Sequence, residues 1–159
     1  MGEIIIRRAA EEDIPALDRL LYQVHRIHSD ARPDLFKPGA KKYTDEQLRD
    51  LLAEREATPI FVAVRDGTVV GYAFCIRQQH LGSNNMTDVK TLYIDDLCVD
   101  ASARGEHIGT QIYRHVLDYA RQNGYYNVTL NVWADNQNAV KFYEAIGMSV
   151  QKIGMETIL

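Results

Sequence analysis

Cysteine is scarce in this chain: the 159 residues hold two, Cys75 and Cys98, each inside an apolar run and without paired spacing. That excludes a disulfide framework and a cysteine-built zinc site, and leaves both as small buried hydrophobes suited to a reducing compartment. Long apolar runs are missing too. Nothing approaches the roughly 20 residues of a membrane-spanning helix, and the opening "MGEIIIRRAAEED" is too short in apolar residues for a signal peptide, so the expected location is the cytoplasm, with no membrane partner. Positive charge is not in excess: 18 Lys and Arg stand against 22 Asp and Glu, and a net charge of −4 gives no reason to expect nucleic acid. Repeats, low-complexity tracts and linkers are absent, so residues 1–159 are expected to form a single domain, long enough to bury a real core.

What the chain does contain is a regular succession of element signals. "EIIIRRA" (3–9) reads as a strand. Residues 11–28 carry Ile14, Leu17, Leu20, Leu21, Val24 and Ile27 on one helical face, with Pro15 in the first turn, where a missing N–H does least harm. Residues 28–43 hold two prolines and a glycine and read as a loop, within which "KPGAKK" (37–42) reads as solvated. Thr44 and Gln47 have capping-box spacing at the start of a second helix. Two β-rich runs between Pro59 and Gln79 meet at Asp66-Gly67, a hairpin signal. Further strands are predicted at 89–99, 126–133 and, closing the chain, in "SVQKIGMETIL" (149–159), with helices after the first two of these. The helix between the strands at 89–99 and 126–133 makes them parallel if they share a sheet. The prediction is therefore α/β: a mixed, mostly antiparallel sheet with a central, splayed parallel pair flanked by helices. The final strand is able to pair across a homodimer.

The segment "DDLCVDASARGEHIGTQIYRHV" (95–116) runs from strand through a glycine turn into a helix. The first turn of a helix has unpaired N–H groups, so such a turn is a ready anion cradle. By itself it is also an ordinary strand-to-helix turn. Two carboxylates, Asp95 and Asp96, are consecutive on the preceding strand and are expected to face opposite sides of it. His25 and His28 lie three apart on the first helix, but no third ligand is near, and no metal is expected.

Over nearly its full length the chain resembles the GNAT superfamily of N-acetyltransferases. The blocks "LYIDDLCVDASARGEHIG" (92–109) and "NQNAVKFYEAIGM" (136–148) carry the likeness, together with the N-terminal strand and two helices. The resemblance implies acetyl-CoA as cosubstrate and no metal. It places the pyrophosphate on Arg104, Gly105, Glu106, His107, Ile108, Gly109 and Thr110, and pairs the pantetheine arm with the main chain of Leu97, Cys98 and Val99. It also gives Asn136 a cofactor contact and Tyr143 the role of general acid on the departing thiolate. Asn136 also reads as a helix N-cap, and Tyr143 also reads as a core aromatic beside Phe142. His107 stands where the family usually has glycine, which is tolerable only if the position is not forced to φ > 0.

The polyamine-acetylating branch of the family has an acidic pair like Asp95-Asp96, and its proposed base falls on Asp95, acting directly or through an ordered water. Asp96 is read as a structural partner. The implied activity is direct acetyl transfer to a primary amine, first of a small cationic metabolite. The alternatives are a protein N-terminal or lysine acetyltransferase, or a non-catalytic acyl-CoA sensor. Candidates on the acceptor side are Asp30, Arg32, Asp34, Phe36 and Tyr43, with Asn131 and Trp133 across the crevice.

Overall fold

A computed structural model describes residues 2–159. The strands β1 (Ile4–Arg8), β2 (Ile60–Arg65), β3 (Thr68–Gln79), β4 (Lys90–Val99) and β5 (Asn127–Leu130) form one sheet in chain order. The first four are antiparallel, and β5 joins β4 in parallel. The helices are α1 (Ile14–Ala31), α2 (Asp45–Ala53), α3 (Ile108–Gln122) and α4 (Gln137–Ala145). Among the described residues no helix is long and apolar enough to cross a membrane.

Alternation along the strands sorts the core into two layers. Phe61, Ala73, Leu92 and Ile94 pack against Ile108, Ile112 and Val116 of α3, while Val62, Tyr72, Phe74 and Cys98 pack against Leu17, Leu20 and Leu21 of α1 and Leu48 of α2. The predicted caps form. Thr44 Oγ1 accepts from the Gln47 amide at 3.1 Å and the Gln47 side chain accepts from the Thr44 amide at 2.9 Å. The hairpin turns at Asp66-Gly67, both at positive φ. Gly71 allows the closest approach in the sheet: a Cβ there would meet the Cys98 carbonyl oxygen at 2.8 Å and Ile112 Cδ1 at 2.9 Å.

Three expectations are corrected. A register shift pairs Phe74 with Asp96 but Cys75 with Ile94, leaving Asp95 as the extra residue of a β-bulge in β4. The bulge resets the alternation, so Leu92 and Ile94 before it, and Leu97 and Val99 after it, all turn toward the α3 layer. Asp95 and Asp96 consequently do not face opposite sides: Asp95 meets Tyr43 and Asp96 meets Tyr72, both on the α1/α2 side. The strand predicted at 126–133 ends at Leu130. The closing strand predicted at 149–159 does not form: those residues have no ladder partner among the described residues.

Candidate active site

Strands β4 and β5 pair only from Thr91 opposite Asn127 to Ile94 opposite Leu130. Beyond Ile94, β4 continues to Val99 held by β3 on one side alone, so the main chain of Asp95–Val99 faces an open crevice on the other. The bulge at Asp95 and the end of β5 at Leu130 create this splay. Leu97, Cys98 and Val99, predicted to offer main chain to a ligand, form its wall.

The chain leaves the crevice through a short 3-10 turn, Ala101–Ala103, capped by the Asp100 carboxylate, which accepts from the Ser102 amide at 3.1 Å. Burial works to raise the Asp100 carboxyl. The Ser102 bonds and the Arg19 guanidinium outweigh it and lower it to about 2. Arg19 also donates to the Val69 carbonyl at 3.0 Å, so it ties α1 both to the start of β3 and, through Asp100, to the end of β4. Next come Gly105 at φ +82° and His107 at φ +60°, and α3 starts at Ile108. His107 is therefore in the left-handed region, against the condition set from sequence. His is among the residues that tolerate this region better than most, and the cost is local strain. Among the described residues, the N–H groups from Gly105 to Thr110 have no hydrogen-bond acceptor. These unpaired amides meet the positive end of the α3 dipole, worth about half a charge. Arg104 is exposed at the mouth, and the Glu106 carboxylate is taken up by Arg65 at 2.8 and 2.9 Å.

The second predicted block locks onto this loop. Asn136 Oδ1 caps α4 by accepting from the Ala139 amide at 3.2 Å. A Cβ on Gly109 would lie 3.2 Å from Phe142 Cζ and 3.5 Å from Val99 Cγ2, so glycine at 109 is what lets α4 dock on the start of α3. Tyr143 stands beside Phe142, with ring centroids 5.1 Å apart. Burial pushes its hydroxyl well above the ordinary tyrosine value, helped by Asp96 and Cys98. It therefore keeps its proton at neutral pH. Burial likewise pushes the Cys98 thiol up to about 12, which leaves it protonated and a poor nucleophile.

The two carboxylates differ in ways the sequence did not reveal. Asp95 is tied by Lys42 Nζ at 3.0 Å and accepts from the Tyr43 hydroxyl. Lys41 is paired with Asp18 and Asp45, so the loop read as solvated is pinned at both lysines. Asp96 accepts from the Tyr72 hydroxyl at 2.8 Å, and burial pushes it up to about 6 against that bond and the Lys42 charge. Lys42, Tyr72 and Arg65 were not singled out from sequence, since each acts through a contact 24 to 53 residues away. Phe36 is stacked on His28 at 5.2 Å and meets Trp133 edge-on at 5.6 Å. These rings line a cavity of about 140 Å³ with Ile27, Arg32 and Asp135. Asp30 lies outside this wall, in an exposed pair with Arg26. Asn131 reaches the Tyr93 hydroxyl at 3.3 Å.

The model of the acetyltransferase (GNAT) family matches residues 21–148. The chain belongs to that family. Among curated relatives, the L-amino acid N-acetyltransferase AaaT of Escherichia coli is 25% identical over 165 residues, covering all of this chain and 91% of the relative. The uncharacterized N-acetyltransferase MJ1207 of Methanocaldococcus jannaschii is 24% identical over 148 residues, and there the match spans 93% of this chain but 62% of the relative. Among solved structures, the BH1408 protein of Bacillus halodurans, determined in mutant form, superposes with a TM-score of 0.91 at 31% identity, covering 98% of this chain and 99% of that one. The GNAT domain expected from sequence, with its mixed sheet and parallel β4–β5 pair, is the one found, and N-acetyltransferase is the enzyme class its relatives carry. The family uses acetyl-CoA as cosubstrate.

Proposed function

We propose that this GNAT enzyme binds acetyl-CoA in the β4–β5 splay and transfers its acetyl group directly to the primary amine of a small cationic metabolite in the cytoplasm. The observation that carries this reading is the convergence on one crevice of unpaired amides at 105–110, an open β4 edge, a raised carboxyl on Asp96 and a protonated Tyr143. The amides and Arg104 hold a pyrophosphate, and the edge of Leu97–Val99 holds an extended amide-bearing arm.

An amine must be neutral to attack. Asp96, with a carboxyl near 6, is better matched to accept the ammonium proton than Asp95, which Lys42 and Tyr43 already engage. The neutral nitrogen attacks the carbonyl carbon, whose developing oxyanion the amides near Cys98 and Val99 stabilise. The carbon–sulfur bond then breaks, and the Tyr143 hydroxyl gives its proton to the departing thiolate. On the acceptor side, the faces of Phe36 and Trp133 together with Asp135 suit a cation, and the L-amino acid relative supports a small acceptor.

Purified protein with acetyl-CoA and a panel of polyamines, amino acids, aminoglycosides and peptides, read by free-thiol release, tests the proposal. Turnover is expected with a small cationic amine, and Tyr143→Phe is expected to lower kcat by about 10²-fold with acetyl-CoA affinity nearly unchanged. Tight CoA binding without turnover on any amine would identify a sensor instead. Turnover on peptides alone would move the acceptor to protein.

A further inference from the structure

The segment between α1 and α2 closes on β4 at a single residue. The bulge takes Asp95 out of the ladder with β3, and its main-chain carbonyl accepts from Lys42 Nζ at 3.3 Å. The same ammonium lies 3.0 Å from one oxygen of the Asp95 carboxylate, and the other oxygen accepts from the Tyr43 hydroxyl. Two consecutive residues of the loop thus take up the charge and both oxygens of a side chain that is only 12% exposed. The loop itself is pinned around Lys42. Lys41 pairs with Asp18 and Asp45, the Lys37 carbonyl lies 2.6 Å from His25 Nε2, and Thr44 caps α2.

The position of this ammonium bears on what an acceptor can carry. Burial is the main reason His28 stands below its usual value, and the charges of His25 and Lys42 add to it. Lys42 also works against the burial that raises Asp96. Its charge therefore reaches both the candidate base and one ring of the aromatic cavity, and a cation placed near either is repelled by it. The other carboxylates of this wall are already engaged: Asp34 and Glu156 by Arg32, Asp18 and Asp45 by Lys41, and Asp30 by Arg26. Asp135, at the cavity, is exposed, where pairing with a cation is worth little. The ring faces and Asp96 provide for one ammonium. A second meets the charge of Lys42 where it would need a carboxylate.

Building on acetyl transfer to a small amine as the activity, we propose that Lys42 is a specificity-determining residue. Its ammonium holds the place at Asp95 that a second cationic group of the acceptor would take, so the enzyme selects a monoamine over a di- or polyamine. The device is a repulsive one, which discriminates by what it excludes.

The test compares butylamine with 1,4-diaminobutane, two amines of equal chain length, on the full chain and on its Lys42→Met and Lys42→Arg variants. Turnover with acetyl-CoA is read by thiol release, and amine binding by calorimetry on protein saturated with CoA. The parent is expected to favour butylamine by about tenfold or more in kcat/KM. Lys42→Met removes the ammonium and keeps an apolar stem, and it is expected to move that ratio toward the diamine by about tenfold, through KM more than kcat. Lys42→Arg keeps the charge and is expected to keep the parent's ratio. Each ratio is taken within one protein, so a variant that folds only in part still reports it. A parent that takes the diamine as well as the monoamine, or a ratio unmoved in Lys42→Met, would overturn the proposal. No turnover on any amine, with the binding preference present in the parent and lost in Lys42→Met, would overturn acetyl transfer to a small amine and uphold the role of Lys42. Binding of neither amine would overturn both.

Discussion

The base proposed at Asp96 carries a cost in stability. Its carboxyl is raised from 3.8 to about 6, so between those values the folded chain holds a proton that the unfolded chain releases. Stability is therefore lost as pH rises through this window, and the full cost, on the order of 1–3 kcal/mol, is present above pH 6. Asp96→Asn keeps an acceptor for the Tyr72 hydroxyl and removes the charge. Its melting temperature is expected to exceed the parent's at pH 8 and to match it at pH 4, while kcat/KM falls by about 10²-fold or more. Asp95→Asn is expected to lose activity less steeply and to gain no stability at pH 8. A lower melting temperature for Asp96→Asn at pH 8 would make the residue a structural partner, as the sequence alone suggested. His107 is a second residue that departs from a local rule. At φ +60° its side chain is strained, and His107→Gly is expected to raise stability by about 1 kcal/mol in thermal unfolding, even after glycine's extra chain entropy. The sequence showed the missing glycine but not the backbone angle, because the angle is imposed by how Ala103 and Ile108 are buried on either side.

At the scale of elements, most of what positions the site could be read from spacing. The capping box at Thr44, the hairpin at Asp66-Gly67 and the apolar faces of α1 and α3 are local patterns, set by bonds between near neighbours. The bulge was also in the letters: Leu92, Ile94, Leu97 and Val99 are spaced two, three, two, and a strand whose inward residues skip one position must bulge there. The partners of Asp95 and Asp96 were not legible, since Lys42, Tyr43 and Tyr72 reach them only after α2 and β3 are in place. Nor was the state of the last segment, because a strand-like sequence does not say whether a ladder partner lies within reach. The docking of α4 depends on such a distant contact. Gly109→Ala would put a methyl group 3.2 Å from Phe142 Cζ and shift a helix none of whose residues is fully buried. We expect a stability cost of about 1–3 kcal/mol, and turnover slowed by roughly tenfold or more as Tyr143 moves with the helix. Gly109→Ala with Phe142→Leu should recover most of the stability, and unchanged kinetics in the single variant would mean that α4 is placed by something other than this contact.

For the whole molecule the question is how a chain of net charge −4 attracts a polyanion. Salt screens charges beyond about 8–10 Å, so distant carboxylates contribute little at physiological ionic strength and the local field of the cradle decides. Within it, Glu106 is balanced by Arg65, the amides of 105–110 have no acceptor among the described residues, and Arg104 adds a full charge at the mouth. CoA at about 100 times its Kd should then stabilise the fold by about 2.7 kcal/mol, a rise in melting temperature of roughly 5–10 °C for a chain of this length. Arg104→Glu alters an exposed side chain and should leave the unliganded melting temperature within a degree or two. It reverses a charge at the pyrophosphate, however, and CoA affinity should fall about tenfold, taking part of the thermal shift with it. Raising salt should narrow the gap between the parent and Arg104→Glu, since screening weakens the attraction in one and the repulsion in the other. If the two proteins bind CoA equally well at low salt, the phosphates do not lie at this loop, and the crevice must hold its cosubstrate by another end.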